Sequence, residues 1–254
     1  DNWPSRPIRF LSDSAAGGAN DVTTRLIAEQ LTQIWKQQVI TVNQPGATGG
    51  IATRAASQLE PDGYNFFVPA ASAFLALKGA PGVSPNLPIV LPRDFTPVAF
   101  LTLAPMFIGV SHHLGVKTLP ELVALAKAKP GQINFSSAGT GSGTHFAGEM
   151  FKQSAGIDIV HIPFKGIPES LTDAISGRVQ FTMAPIASSV SLIKEGRLRA
   201  VGVTSKKRSS LYPELPTLAE QGLTGFEWDS WGGLLAPAKT PRAVINKLNR
   251  EVVK

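Results

Sequence analysis

The sequence predicts an α/β fold in two lobes, each a mostly parallel sheet flanked by helices. Three observations predict it. Strand-length apolar runs alternate with helix-period segments from Pro7 to Val68, the rhythm that builds parallel sheets. Residues 78–97 then break that rhythm with Pro81, Pro85, Pro88, Pro92 and Pro97. From Thr118 the alternation resumes and runs to Val203. A chain of 254 residues accommodates one large domain or two lobes of ordinary size, and 43% hydrophobic residues supply a core.

The run Pro7-Ile8-Arg9-Phe10-Leu11 reads as the first strand. After the turn Ala15 to Asp21 a helix follows, with Val22, Leu26, Ile27, Leu31, Ile34 and Trp35 on one face at helical spacing. Val39 to Val42 is a short strand, and Pro45-Gly46-Ala47-Thr48-Gly49-Gly50 is a second glycine-rich turn opening a helix. Pro61-Asp62-Gly63 turns the chain into the strand Phe66-Phe67-Val68. Residues 78–97 read as an extended surface segment, and Phe95 to Val110 as a crossing into the second lobe.

In that lobe Thr118 and Glu121 form a capping box for a helix carrying Leu122, Val123 and Ala126, which Pro130-Gly131 stops. Strands are expected at Ile133 to Phe135, Ile157 to Ile162, Val179 to Met183 and Leu198 to Val203. A helix starts near Ser142, and later helices end at Gly177 and Gly196, good C-terminal cap residues. Phe226 to Leu235 reads as the return crossing. A final helix opens near Pro241 and is expected to be still running at Lys254, as if a C-terminal piece were missing. The predicted division is residues 1–101 plus 226–254 for lobe I and 102–225 for lobe II, with crossings near 101–110 and 225–235.

Composition excludes several functions. No run of eighteen or more apolar residues exists to span a membrane as a helix. Asp1-Asn2-Trp3-Pro4 has no signal-peptide pattern, which fits a cytoplasmic protein or an exported one already cleaved. With no cysteine there are neither disulfides nor thiolate metal sites. No spacing among His112, His113, His145 and His161 suggests a metal. The net charge of +6 is scattered, and Lys206-Lys207-Arg208 lacks the basic helix or aromatic interleaving of a nucleic-acid surface, so no nucleic acid is expected.

Two segments carry the chemistry. Residues 15–21 and 137–142 each follow a strand with a glycine-rich turn and then a helix N-terminus. There, exposed N–H groups carry partial positive charge and glycine lets an anion approach. Such turns lie at the carboxyl ends of strands, where open α/β sheets bind ligands. Two of them facing each other would hold a carboxylate without a charged side chain. Ser136, Ser137, Thr140, Ser142 and Thr144 add hydroxyl donors to the second turn. Nucleotide motifs fail on spacing, since Thr144 stands where a dinucleotide fingerprint needs glycine and no P-loop lysine follows, so no cofactor is expected. A hydrolase using Ser142 or Ser137 with His145 lacks both a Gly-x-Ser-x-Gly elbow and a placeable acid, so the chain is read as no enzyme.

A resemblance covers nearly the whole chain. Its motifs are Pro7-Ile8-Arg9 with Ala15-Ala16-Gly17-Gly18, Asp21 and Arg25; Asn43-Gln44-Pro45-Gly46-Ala47 with Gly49; Pro61-Asp62-Gly63-Tyr64; and Asp94-Phe95-Thr96-Pro97-Val98. Further along come Ser137-Ala138-Gly139, Gly141-Ser142 and His145, then Ile162-Pro163-Phe164-Lys165-Gly166, Pro213-Glu214-Leu215-Pro216-Thr217 and Trp231-Gly232-Gly233-Leu234-Leu235-Ala236-Pro237. In these the sequence resembles the Bug (TctC-like) family, extracytoplasmic receptors of tripartite tricarboxylate transporters. The resemblance implies a two-domain, type II-like clam-shell periplasmic binding protein with its ligand in the interdomain cleft, secreted and cleaved. It also implies that both turns hold one ligand carboxylate, partly through ordered waters, and that membrane permease subunits are the partners of a monomer. A module reporting ligand state to a sensor kinase would use the same site.

The sequence departs from the family pattern where Pro and an aromatic residue usually precede Ala-Ala-Gly-Gly. Here they are Asp13 and Ser14, which should enlarge or wet that side of the site. Near Ser72 the chain reads Ala73-Phe74-Leu75-Ala76, apolar where relatives often carry a polar residue. This pattern suggests a ligand with a flat or apolar body between carboxylates, such as terephthalate, although Phe74 can equally be core. The residues assigned to the ligand are Ser14, Ala15, Ala16, Gly17, Gly18, Asn20, Asp21, Ser72 and Phe74 in the first lobe. In the second they are Ser137, Ala138, Gly139, Thr140, Gly141, Ser142, His145, Phe164 and Lys165. Asp21 is also placed to cap its helix, His145 to make a structural hydrogen bond, and Lys165 to meet a distal carboxylate or stay solvated.

Overall fold

The computed structural model describes residues 2–73, 89–90 and 93–254, with Ala19 and Thr48 described by their backbone alone. Phe74 and most of the expected extended segment 78–97 lie outside the described residues. The chain divides into unit 1, Asp1–Leu103 with Trp231–Lys254, and unit 2, Ala104–Ser230.

Unit 1 is built on β1 (Ile8–Ser12), which lies between β2 (Val39–Asn43) and β3 (Asn65–Val68) and is parallel to both. β9 (Asp229–Pro237) joins β3 antiparallel, with Phe67 opposite Leu235. The two-residue period of a strand sends Ile8 and Phe10 to one face and Leu11 to the other, and all three are buried. Ile8 and Phe10 pack with Ala28 and Leu31 of α1 (Ala19–Trp35) and with Ile245 and Leu248 of α7 (Arg242–Val252). Leu11 packs with Phe67, Phe95 and Leu235, and with Ala52 and Ala56 of α2 (Gly50–Ala56).

One expectation for unit 1 is corrected. Val22, Leu26 and Ile34 are exposed, so the buried stripe of α1 is Asn20-Asp21, Thr24, Ala28 and Leu31, with Ile27 and Trp35 at its margin. Polar residues that bond within the unit turn the helix away from its most apolar face. α7 runs to Val252.

Unit 2 repeats the plan around β5 (Ile133–Ser137), parallel to β6 (Ile159–Pro163) and to β7 (Phe181–Pro185). β4 (Phe95–Val110) runs antiparallel to β7, and β8 (Arg199–Val203) runs antiparallel to β4. One face is covered by α3 (Leu119–Ala128) and α4 (Gly143–Ala155), whose Leu122, Ala126, Ala147 and Phe151 meet Phe135, Phe181 and Met183. The other is covered by α5 (Ile167–Ile175) and α6 (Val190–Lys194) through Leu171, Ala174 and Ile193. Gly148 is what lets α4 lie on the sheet, since a Cβ there would sit 2.0 Å from the Phe135 ring. Ile157, Val179 and Leu198 are buried but precede their strands, so apolar character overstated where pairing begins.

Candidate functional site

In unit 1 the chain leaves β1, turns through Asp13 to Gly18 and enters α1. Gly17 has φ 80° and Gly18, the N-cap residue, has φ −69° and ψ 160°. Gly18 N–H donates to Ala15 O at 3.2 Å, and Gly17 N–H donates to Asp21 Oδ2 at 2.9 Å. Asp21 thus reaches back from the first helical turn to satisfy an amide that the helix cannot. Its Oδ1 also accepts from Asn43 Nδ2 at 2.7 Å and Arg25 Nε at 3.0 Å. Burial pushes the Asp21 pKa up, but hydrogen bonds from Arg25, Gly17 and Asn43 outweigh it and leave the carboxyl below its ordinary value. Its capping role is therefore the one seen.

In unit 2 the chain leaves β5 and makes the same turn into α4. Gly141 has φ 77°, and the N-cap Ser142 has φ −70° and ψ 161°. Ser142 N–H donates to Gly139 O at 3.1 Å, and Gly141 N–H donates to His145 Nδ1 at 3.0 Å. His145 stands where Asp21 stands in unit 1. Accepting through Nδ1 requires an unprotonated nitrogen there, and burial lowers the His145 pKa accordingly. Its ring stacks on His161, 4.0 Å between centroids. His161 Nε2 lies 2.6 Å from Ser137 Oγ, and burial, with His145 beside it, lowers its pKa to about 4.

These bonds occupy several of the amides that the sequence assigned to the ligand. The N–H groups of Gly17, Gly18, Ala138, Gly139, Gly141 and Ser142 are all used inside their own turns. Those with no acceptor among the described residues include Ala15, Ala16, Asn20 and Asp21 in unit 1, and Gly143 and Thr144 in unit 2. Asn20 Oδ1 is also buried without a partner, although its Nδ2 donates to Ser14 Oγ at 3.2 Å. Orphan groups at a helix start are satisfied by water or ligand.

The other assigned residues fall in varied places. Ala15, Ala16, Gly17, Gly18 and Thr140 are exposed, and Ser14 and Ser72 half-buried. Phe164 is half-buried and tied to the second turn through its N–H to Ser137 O at 3.1 Å; Lys165 is exposed. Sequence reasoning gave Asn43 and His161 no part in the turns. Asn43 and His161 become visible only through strand register, which sets Ser12 beside Asn43 and Phe135 beside His161. Asp13 was expected to wet the site, yet its carboxylate turns inward to the Ala70 N–H at 2.9 Å.

Catalysis is poorly served. Ser142 Oγ accepts the His145 N–H and pairs with Thr144 Oγ1 at 2.9 Å, so it is spent as a cap. Ser137 has a histidine partner but is fully buried, and among the described residues no carboxylate orients His161. Two α/β units, each with an anion-suited turn at the carboxyl end of its central strand, have the makings of a solute-binding protein.

The family described as "Tripartite tricarboxylate transporter family receptor" (TctC) matches residues 23–254, and the chain belongs to it. Receptors of this family are periplasmic, take a small carboxylate and serve membrane subunits of the transporter. The chain is 32% identical to protein BugT of Bordetella pertussis over 254 residues, 99% of this chain and 77% of that one. Its structure is similar to that of R. palustris Rpa4515 with adipate, at TM-score 0.87 and 30% identity, covering 98% of this chain and 83% of that one. It is also similar to MatC (Rpa3494) from Rhodopseudomonas palustris with bound malate, at TM-score 0.86 and 28% identity, covering 99% and 84%. Among the described residues no helix is long and apolar enough to cross a membrane.

Proposed function

We propose that this receptor captures a small dicarboxylate, with an aromatic one such as terephthalate fitting best, and delivers it as a monomer to permease subunits. The observation that carries the reading is the pair of similar turns, each leaving amides unspent at a helix N-terminus: Ala15, Ala16, Asn20 and Asp21 in unit 1, Gly143 and Thr144 in unit 2. Such amides favour a carboxylate over a neutral group. The similar structures with adipate and malate support a dicarboxylate. The aromatic preference rests on the apolar sequence Ala73-Phe74-Leu75-Ala76 beside Ser72, and on Ser14 standing where relatives carry a larger side chain. Phe164 and Lys165, next to the second turn, are assigned to the ligand's body and distal carboxylate.

Calorimetric titration with terephthalate, adipate, malate and citrate tests this. Reversible binding of terephthalate at one site per chain is expected. Tight citrate binding without heat from terephthalate would end the aromatic reading, and no binding by any of the four would end the carboxylate reading.

A further inference from the structure

Asp13 is a buried carboxylate with no role in building either turn. Only 7% of the residue is exposed. Its oxygens accept from the Ala70 N–H at 2.9 and 3.0 Å and from Ser14 Oγ at 3.3 Å, and Oδ2 lies against Gly49, where an added Cβ would come within 2.9 Å of it. Around it lie Ser14 and Asn20 on the α1 side, Gly49 before α2, and Ala70 and Ala73 after β3; none of these titrates. The ionisable groups of the adjoining elements are Arg9 on β1, Asp21, Arg25 and Glu29 on α1, and Arg54 on α2. None of them acts on Asp13 by charge. Among the described residues this carboxylate has no counter-ion, and it stands next to the turn that we assign to an anion.

The hydrogen bonds give it a lever. Asn20 Nδ2 donates to Ser14 Oγ, and the Ser14 hydroxyl donates its one proton to Asp13 Oδ1. In that state Ser14 has no proton for a ligand. If Asp13 takes up a proton from solvent, its new O–H donates to Ser14 Oγ, and the Ser14 hydroxyl proton is released to point outward. The Ala70 N–H keeps its acceptor on the other oxygen. No bond other than the new O–H forms, and the charge of the site becomes less negative by one.

We propose that Asp13 makes carboxylate binding proton-linked, the receptor taking up a proton with its ligand as Ser14 turns from acceptor to donor. The proposal rests on the carboxylate reading. Asp13 is a positioning residue here, acting through Ser14. Burial raises its pKa to about 6, which places the switch within reach of ordinary buffers. Other groups near that pH are set apart. All four histidines belong to unit 2, where burial lowers the His145 pKa and takes that of His161 to about 4. His112 and His113 follow Val110, which pairs with Phe181 at the amino end of β7, the opposite end of that sheet from the turn. Asp229 of unit 2 is also raised by burial and by Glu227, so a variant at position 13 is needed to assign the effect.

The test is calorimetry with terephthalate, or with the tightest of adipate, malate and citrate if terephthalate does not bind, from pH 7.5 to 6.0. Terephthalate is fully ionised throughout. For the unaltered receptor the dissociation constant should fall by about threefold to tenfold over that range. Asp13→Asn, whose Nδ2 donates to Ser14 as the protonated acid would, should hold affinity at its low-pH value and flatten the profile. Parallel profiles for the two proteins overturn the proposal. If the variant does not fold, titration of the unaltered receptor and of Ser14→Ala at pH 6.5 in buffers of different ionisation enthalpy decides: proton uptake that is lost in Ser14→Ala supports the proposal, and no uptake, or equal uptake by both, overturns it. Absence of binding by every acid would overturn the carboxylate reading as well, whereas binding without proton uptake removes this inference alone.

Discussion

The turn after β1 and the turn after β5 share one backbone and differ in what closes it. Gly18 and Ser142 have N-cap dihedrals within a degree of each other, and a left-handed glycine precedes each. Four residues after that glycine stands the acceptor of its N–H: Asp21 in unit 1, His145 in unit 2. The motif needs a lone pair at that position and not a charge. What differs is the electrostatics imported with it. Asp21 brings Arg25 and Asn43 to hold its charge, whereas His145 brings His161 and must stay uncharged at Nδ1.

The most severe way to break the comparison is Gly141→Val. A β-branched residue at φ 77° is strained, so the turn should re-form poorly and carboxylate affinity fall by about 100-fold, on the order of 3 kcal/mol, by calorimetry. Gly18→Val should cost less, because φ is −69° and the added Cβ meets only Ala15 O at 3.2 Å.

Acid should separate the two units next. His161 titrates at about 4 folded against 6.5 unfolded, so its contribution to stability is complete above pH 6.5 and is lost as pH falls toward 4. Asp13 has the opposite sign: about 6 folded against 3.8, so its contribution is complete below 3.8 and is lost as pH rises through 6. Each is worth about 2–3 kcal/mol at most. Denaturant titrations across pH 4–7 should show a steeper acid loss in Asp13→Asn, which removes the opposing group, and a shallower one in His161→Gln.

The smallest effect sharpens the account of the turn itself. Asp21→Asn keeps an oxygen for the Gly17 N–H but discards the charge that Arg25 satisfies. It should lower stability by about 1 kcal/mol, read as a shift in denaturation midpoint, and leave carboxylate affinity within about twofold. A large loss of affinity would mean that Asp21 meets the ligand.

Much of this was legible from local pattern. The strand–turn–helix order, the glycines at 17 and 141, the Ser142 cap and the family membership all rest on residues close in sequence, where backbone preference and spacing act directly. The capping reading of Asp21 and the structural reading of His145 were open for the same reason, since each partner lies four residues away.

What tertiary structure alone decided involves residues far apart in the chain. Strand register set His161 beside Phe135 and within reach of Ser137, and set Asn43 beside Ser12. Packing exposed Val22 and Leu26, which periodicity would have buried, and closed Asp13 beneath Ala70, which substitution logic would have left wet. Sequence determined the amides that exist; the fold determined which of them remain unspent, because a hydrogen-bond donor is available only after every nearby acceptor has been placed.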